Sequence, residues 1–87
     1  MNTELTNVSK LLEILESELE LSGNIAFEYI ELLHRKLQSS KTTEDITTLL
    51  LQIKSSGKVV DFANFTSEQE EIWNEIWREA TRLLRDS

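Results

Sequence analysis

Eighty-seven residues with 16 acids, 9 bases, no cysteine and no proline describe one small domain, near the size at which a single core barely suffices. Without cysteine, disulfides and thiolate-bound metals are excluded, and a net charge of -7 argues against nucleic acid, whose phosphates require clustered Lys and Arg. No apolar run approaches the roughly 20 residues of a membrane-spanning helix.

The only glycines are Gly23 and Gly57, so few breakers interrupt the chain and long helices are the natural outcome. The opening MNTELTNVSK lacks the basic and apolar regions of a signal peptide, which leads to the expectation of a cytoplasmic protein. Ser/Gly-containing joints (LSGN, QSSKTT, SSGK) divide residues 1–87 into four helical segments of a single domain.

The first predicted helix covers 3–21. Leu5, Val8, Leu12, Leu15 and Leu19 recur at steps of three and four and form one face, with Leu11, Ile14 and Leu21 widening the stripe. Gly23 suits the left-handed position just past the helix end. Asn24 is then the expected cap of a second helix over 25–38, whose inner stripe is Ala26, Ile30, Leu33 and Leu37, flanked by Phe27 and Tyr29. Ile25 and Leu32 fall on its far side.

A third helix is expected over 43–55, capped by Thr42 or Thr43, with Glu44 and Asp45 in the dipole-favoured first turn. Ile46, Leu49, Leu50 and Ile53 face inward, Leu51 points away, and Gly57 is the expected stop. GKVVDFANF follows, with Val59, Val60, Phe62 and Phe65; it is too irregular to predict a helix of useful length, and reads as an apolar loop lying across the helices.

The last helix, over 67–85, has the clearest signature. Thr66-x-x-Gln69 or Ser67-x-x-Glu70 is a capping box. Glu68, Glu70 and Glu71 crowd its start and Arg78, Arg82 and Arg85 its end, matching the helix dipole. Glu75–Arg78 and Glu79–Arg82 can pair across one turn. Trp73 falls inside the apolar arc with Ile72, Ile76, Ala80, Leu83 and Leu84 and is expected in the core. Trp77 lies at the arc's edge, where an indole caps a core or meets a partner. The fold class is therefore all-α, a four-helix up-down bundle with an apolar loop between helices three and four.

Few residues suggest chemistry. His34 is the single histidine. Glu31-Leu32-Leu33-His34 has the Glu-x-x-His spacing of di-iron helical bundles, but no second motif accompanies it. A nucleophilic triad would have to be built around His34, and nothing in the sequence positions one. The two glycines are too far apart for a phosphate loop. The expectation is a protein that is not an enzyme and needs no cofactor or metal.

Surface features suggest binding instead. Glu13, Glu16 and Glu20 project from one flank of the first helix with only Lys10 nearby, and Glu28 and Glu31 extend that flank if the first two helices are antiparallel neighbours. The expectation is a small acidic module that meets a basic protein, as an immunity- or antitoxin-type inhibitor does. Its candidate partner-binding residues are Glu13, Glu16, Glu20, Leu51, Phe62 and Trp77. A homodimer is the second reading, because Ile25, Leu32, Leu51 and Trp77 do not fit the inner faces. A metal-binding bundle around Glu31 and His34 is the third.

Overall fold

The computed structural model describes residues 3–86, and among them five α-helices and no strand occur: α1 Thr3–Ser22, α2 Phe27–Ser39, α3 Thr43–Lys54, α4 Gly57–Ala63 and α5 Ser67–Asp86. The all-α expectation holds, with one helix more than the periodicity indicated.

Helix α1 is the central element, packing against both α2 and α5, while α5 also packs on α3 and α2 touches α3. Of the eight largest fully buried side chains, α1 supplies Val8, Leu12, Leu15 and Leu19, the others being Ile30, Leu33, Ile53 and Ile76. Each contributes about 1.5–3 kcal/mol by leaving water, so α1 carries half of the strongest burial. Trp73, Ala80 and Leu83 complete the α5 face as expected. Ile14 and Leu21, expected to widen the α1 stripe, are exposed instead, because α2 and α5 already occupy both sides of that face. The radius of gyration, 12.1 Å, matches the roughly 12 Å of a compact chain this long.

The joints carry most of the polar architecture. Gly23, at φ 67°, ends α1 in a paired arrangement: its N–H donates to Glu20 O at 3.2 Å and Asn24 N–H to Leu19 O at 3.0 Å, the Schellman pattern. Asn24 does not cap α2 as expected, since that helix begins at Phe27. Its side chain instead turns the chain locally, accepting from Ala26 N–H at 2.8 Å, and reaches across to donate to Ala63 O at 3.0 Å. Thr42, of the two threonines considered, caps α3 by accepting from Asp45 N–H at 3.1 Å.

The expected apolar loop is a correction. Residues 57–63 form α4, a helix of two turns. Gly57, expected to stop α3, opens α4 instead; the turn out of α3 is made by Ser55 and Ser56. Ser56 is buried, and its hydroxyl donates to Gln52 O at 2.5 Å while meeting the Tyr29 hydroxyl. Among the described side chains of α4, Val60 and Ala63, one turn apart, enter the core, and the helix ends at Asn64 in the left-handed conformation (φ 55°). Of Val59 only the backbone is described. Phe65 packs on the core edge, whereas Phe62 faces solvent.

Of the two capping boxes considered for α5, Thr66 and Gln69 form it. Gln69 N–H donates to Thr66 Oγ1 at 3.2 Å and Thr66 N–H to Gln69 Oε1 at 3.0 Å. The far end of the Gln69 amide then donates to Ser22 Oγ at 3.0 Å and Glu18 O at 3.4 Å, fastening the start of α5 to the end of α1.

Candidate functional site

Glu13, Glu16 and Glu20 line one side of a shallow groove whose other side is Glu31, His34, Arg35 and Gln38 of α2. Of Glu28 and Glu31, the two α2 glutamates expected to extend the acidic flank, Glu31 is the one that lines this groove. Its carboxylate is held by Arg35 at 2.9 Å, an exposed i,i+4 pair worth a few tenths of a kcal/mol.

The three α1 glutamates are not equivalent. Glu13 and Glu20 are exposed, but Glu16 is partly buried and turned to His34, whose Nδ1 lies 3.0 Å from Glu16 Oε2. Glu16 thus shares the groove with Glu13 and Glu20 but has its carboxylate engaged by α2. The Nε2 of His34 lies 3.5 Å from Ser9 Oγ. With Nδ1–H donating to the carboxylate, Nε2 of the neutral ring is left to accept from the Ser9 hydroxyl.

Serine, histidine and glutamate thus stand in the order of a nucleophilic relay, an arrangement not foreseen from the sequence because Ser9 and His34 are joined only by the packing of α1 on α2. Ser9 lies within α1, where backbone N–H groups are committed to the helix rather than free to stabilise an oxyanion. The contact to His34 is also at the outer limit of a hydrogen bond. We read the trio as a polar tie between α1 and α2.

Glu31 and His34 do not converge on one point, since the first holds Arg35 and the second faces Glu16. Among the described residues no group of three or more His, Asp or Glu side chains is placed to hold a metal ion.

The apolar candidates also separate. Trp77 is 37 % exposed, and its indole N–H donates to Lys54 O at 3.1 Å. The polar end of the indole is therefore spent inside the molecule, satisfying one of the orphan carbonyls at the α3 C-terminus. Leu51 lies exposed on the outer face of α3 and Leu32 on that of α2, as their helix positions implied, and Ile25 is exposed at the joint before α2. Phe62 is 82 % exposed.

Charge is segregated more sharply than net charge alone suggests. Residues 11–33 contain six glutamates and no Lys or Arg, and residues 59–77 contain Asp61 and four glutamates, again with no base. These stretches meet at one end of the molecule, where Gln69 bonds to Glu18 O and Ser22 and Asn24 bonds to Ala63 O. The last turn of α1 carries no base, so Glu20 stands at the negative pole of its own helix, an arrangement that costs a few tenths of a kcal/mol. Among the described residues, no helix is long and apolar enough to cross a membrane. Compared with protein-family models, curated proteins and solved structures, the chain matches none.

Proposed function

We propose that the chain is a small acidic binding module that docks on a basic protein surface, acting as an immunity- or antitoxin-type inhibitor does rather than as an enzyme. The observation that carries this reading is the meeting of two base-free, glutamate-rich stretches at one end of the fold. A surface of one sign raises the rate at which an oppositely charged partner arrives and excludes partners of like charge. Keeping Glu20 at the wrong pole of α1 is favourable only if that potential is used. In this reading the four long helices run up and down in sequence, the protein works in the cytoplasm without a cofactor, and its partner is neither nucleic acid nor membrane.

The test uses a panel of immobilised small basic proteins and a variant in which Glu13, Glu20 and Glu28 become Gln, leaving the Glu16–His34 tie intact. Binding to at least one panel member should weaken steeply with added salt, and the variant's association rate should fall by about tenfold. Rates indifferent to both changes sink the proposal.

A homodimer is the second reading, favoured by Leu32, Leu51 and Phe62, which stand exposed on three different helices. Sedimentation at high protein concentration decides it: a monomer mass removes it.

A further inference from the structure

The three most exposed large apolar side chains among the described residues are Leu21 (85 %), Phe62 (82 %) and Ile25 (71 %). They belong to one corner. Asn24, between Leu21 and Ile25 in the chain, donates its side-chain amide to the carbonyl of Ala63, the residue after Phe62. That hydrogen bond joins the α1–α2 joint, which carries Leu21 and Ile25, to the end of α4, which carries Phe62.

Single exposed apolar residues are ordinary on a protein surface, whereas a group of large ones gathered in one place marks an interaction surface. The setting of this group says what covers it. The acids nearest in sequence are Glu18 and Glu20 before Leu21, Glu28 after Ile25, Asp61 beside Phe62 and Glu68 at the start of α5. Lys58, one turn before Phe62 on α4, is the nearest base. An apolar centre with a charged rim is the anatomy of a docking site, and the charges carried beside these three residues along the chain are mostly negative.

We infer that this corner is the anchor of the binding surface, and that its occupant is an amphipathic segment of a basic protein. Apolar side chains of that segment cover Leu21, Ile25 and Phe62 while its Lys and Arg reach the surrounding carboxylates. The inference rests on the proposed function and gives that surface its centre. A second copy of this chain fits poorly, because two such corners would bring like charges together, and an anionic membrane is repelled for the same reason. The sequence singles out Phe62 as a partner-binding candidate and Ile25 as an outward residue, but its periodicity assigns Leu21 to the α1 stripe and Phe62 to a loop, so it does not join the three. Trp77, the other aromatic candidate, has its polar end already engaged.

The test uses three fluorescent synthetic peptides: a Leu/Lys helix with all its leucines on one face, a scrambled peptide of the same composition, and an all-Lys peptide. Fluorescence anisotropy compares the wild-type chain with a variant carrying Leu21→Ser, Ile25→Ser and Phe62→Ser. Its far-UV circular dichroism should match wild type because all three side chains lie outside the core. Wild type should prefer the amphipathic peptide over the scrambled one by about tenfold, or about 1.4 kcal/mol. The variant should lose that preference and keep a weak, salt-sensitive affinity for all three peptides. If the variant holds the amphipathic peptide as tightly as wild type does, the corner is not the anchor, although the acidic reading stands. If wild type binds none of the peptides at low salt, the acidic reading fails and takes this inference with it. A wild-type dimer that the triple substitution dissociates would overturn the choice of a basic partner in favour of a second copy.

Discussion

Gln69→Ala should be among the most damaging single changes of a polar side chain in this protein. Gln69 is 2 % exposed. Its Oε1 closes the capping box on Thr66 N–H at 3.0 Å, and its Nε2 donates to Ser22 Oγ at 3.0 Å and, less favourably, to Glu18 O at 3.4 Å. The two shorter bonds are worth about 1 kcal/mol each, and the buried stem adds about 0.8 kcal/mol per methylene. Part of this loss is recovered. Ser22 Oγ keeps its bond to Leu19 O at 3.3 Å, Thr66 lies where water can reach it, and Ala favours the helix slightly more than Gln. The net loss should be about 2–3 kcal/mol, a large share of the roughly 4–13 kcal/mol expected for a chain this size.

Urea unfolding followed by the fluorescence of buried Trp73 measures this loss as a lower midpoint at unchanged slope, and thermal unfolding should move down by about 10–20 °C. Gln69→Glu sharpens the test. It keeps the acceptor for Thr66 but turns the donor toward Ser22 and Glu18 O into a second acceptor, on a buried carboxylate amid other acids. Burial raises the folded-state affinity of that carboxyl for its proton. Between its unfolded and folded titration ranges the native state then binds more protons than the unfolded one, so the deficit relative to wild type should shrink as pH falls. A loss below about 0.5 kcal/mol for Gln69→Ala would refute the claim that this amide fastens α5 to α1.

The two glycines should respond with opposite signs. Neither has an atom within 4 Å of an added Cβ, but Gly23 sits at φ +67°. Gly23→Ala should therefore cost about 1–2 kcal/mol from backbone strain alone, while Gly57→Ala, in the first turn of α4, should stabilise by about 0.4–1 kcal/mol; calorimetry of the pair checks both. Thr81 Oγ1 is buried with no hydrogen-bond partner among the described residues, so Thr81→Val should be neutral or raise the melting temperature by several degrees, as removing an unsatisfied hydroxyl does. A clear loss would mean that this hydroxyl has a partner. Trp77→Phe removes the indole N–H that reaches Lys54 O and should cost about 1 kcal/mol, read from urea midpoints; no loss would return Trp77 to the free surface.

Much of the fold was legible before any coordinates because helical periodicity is a local property. The inward residues of α1, α3 and α5 follow from steps of three and four, and Leu32 and Leu51 could be placed outside by rotation alone. Where two capping choices were open, at Thr42 and Thr66, either was consistent with the sequence, and side-chain geometry selected one. Helix α4 escaped because two turns give a period too few repeats to register. Its inward pair, Val60 and Ala63, is less conspicuous than the outward Phe62. Glu16 could not be told from Glu13 and Glu20, since its distinction lies in His34 on another helix.

By itself the sequence determined the helical class, the stop at Gly23, the polarity of the α5 ends and the excess of acid, because propensity, capping and charge act over a few neighbouring residues. Tertiary structure alone decided what those pieces make together. It set which glutamate is tied down, where the Trp77 indole N–H goes, and that the α1–α2 joint is fastened to the end of α4. Those outcomes depend on contacts between residues far apart in the chain, such as Asn24 with Ala63 and Gln69 with Ser22, and no local pattern encodes which distant carbonyl an amide will reach.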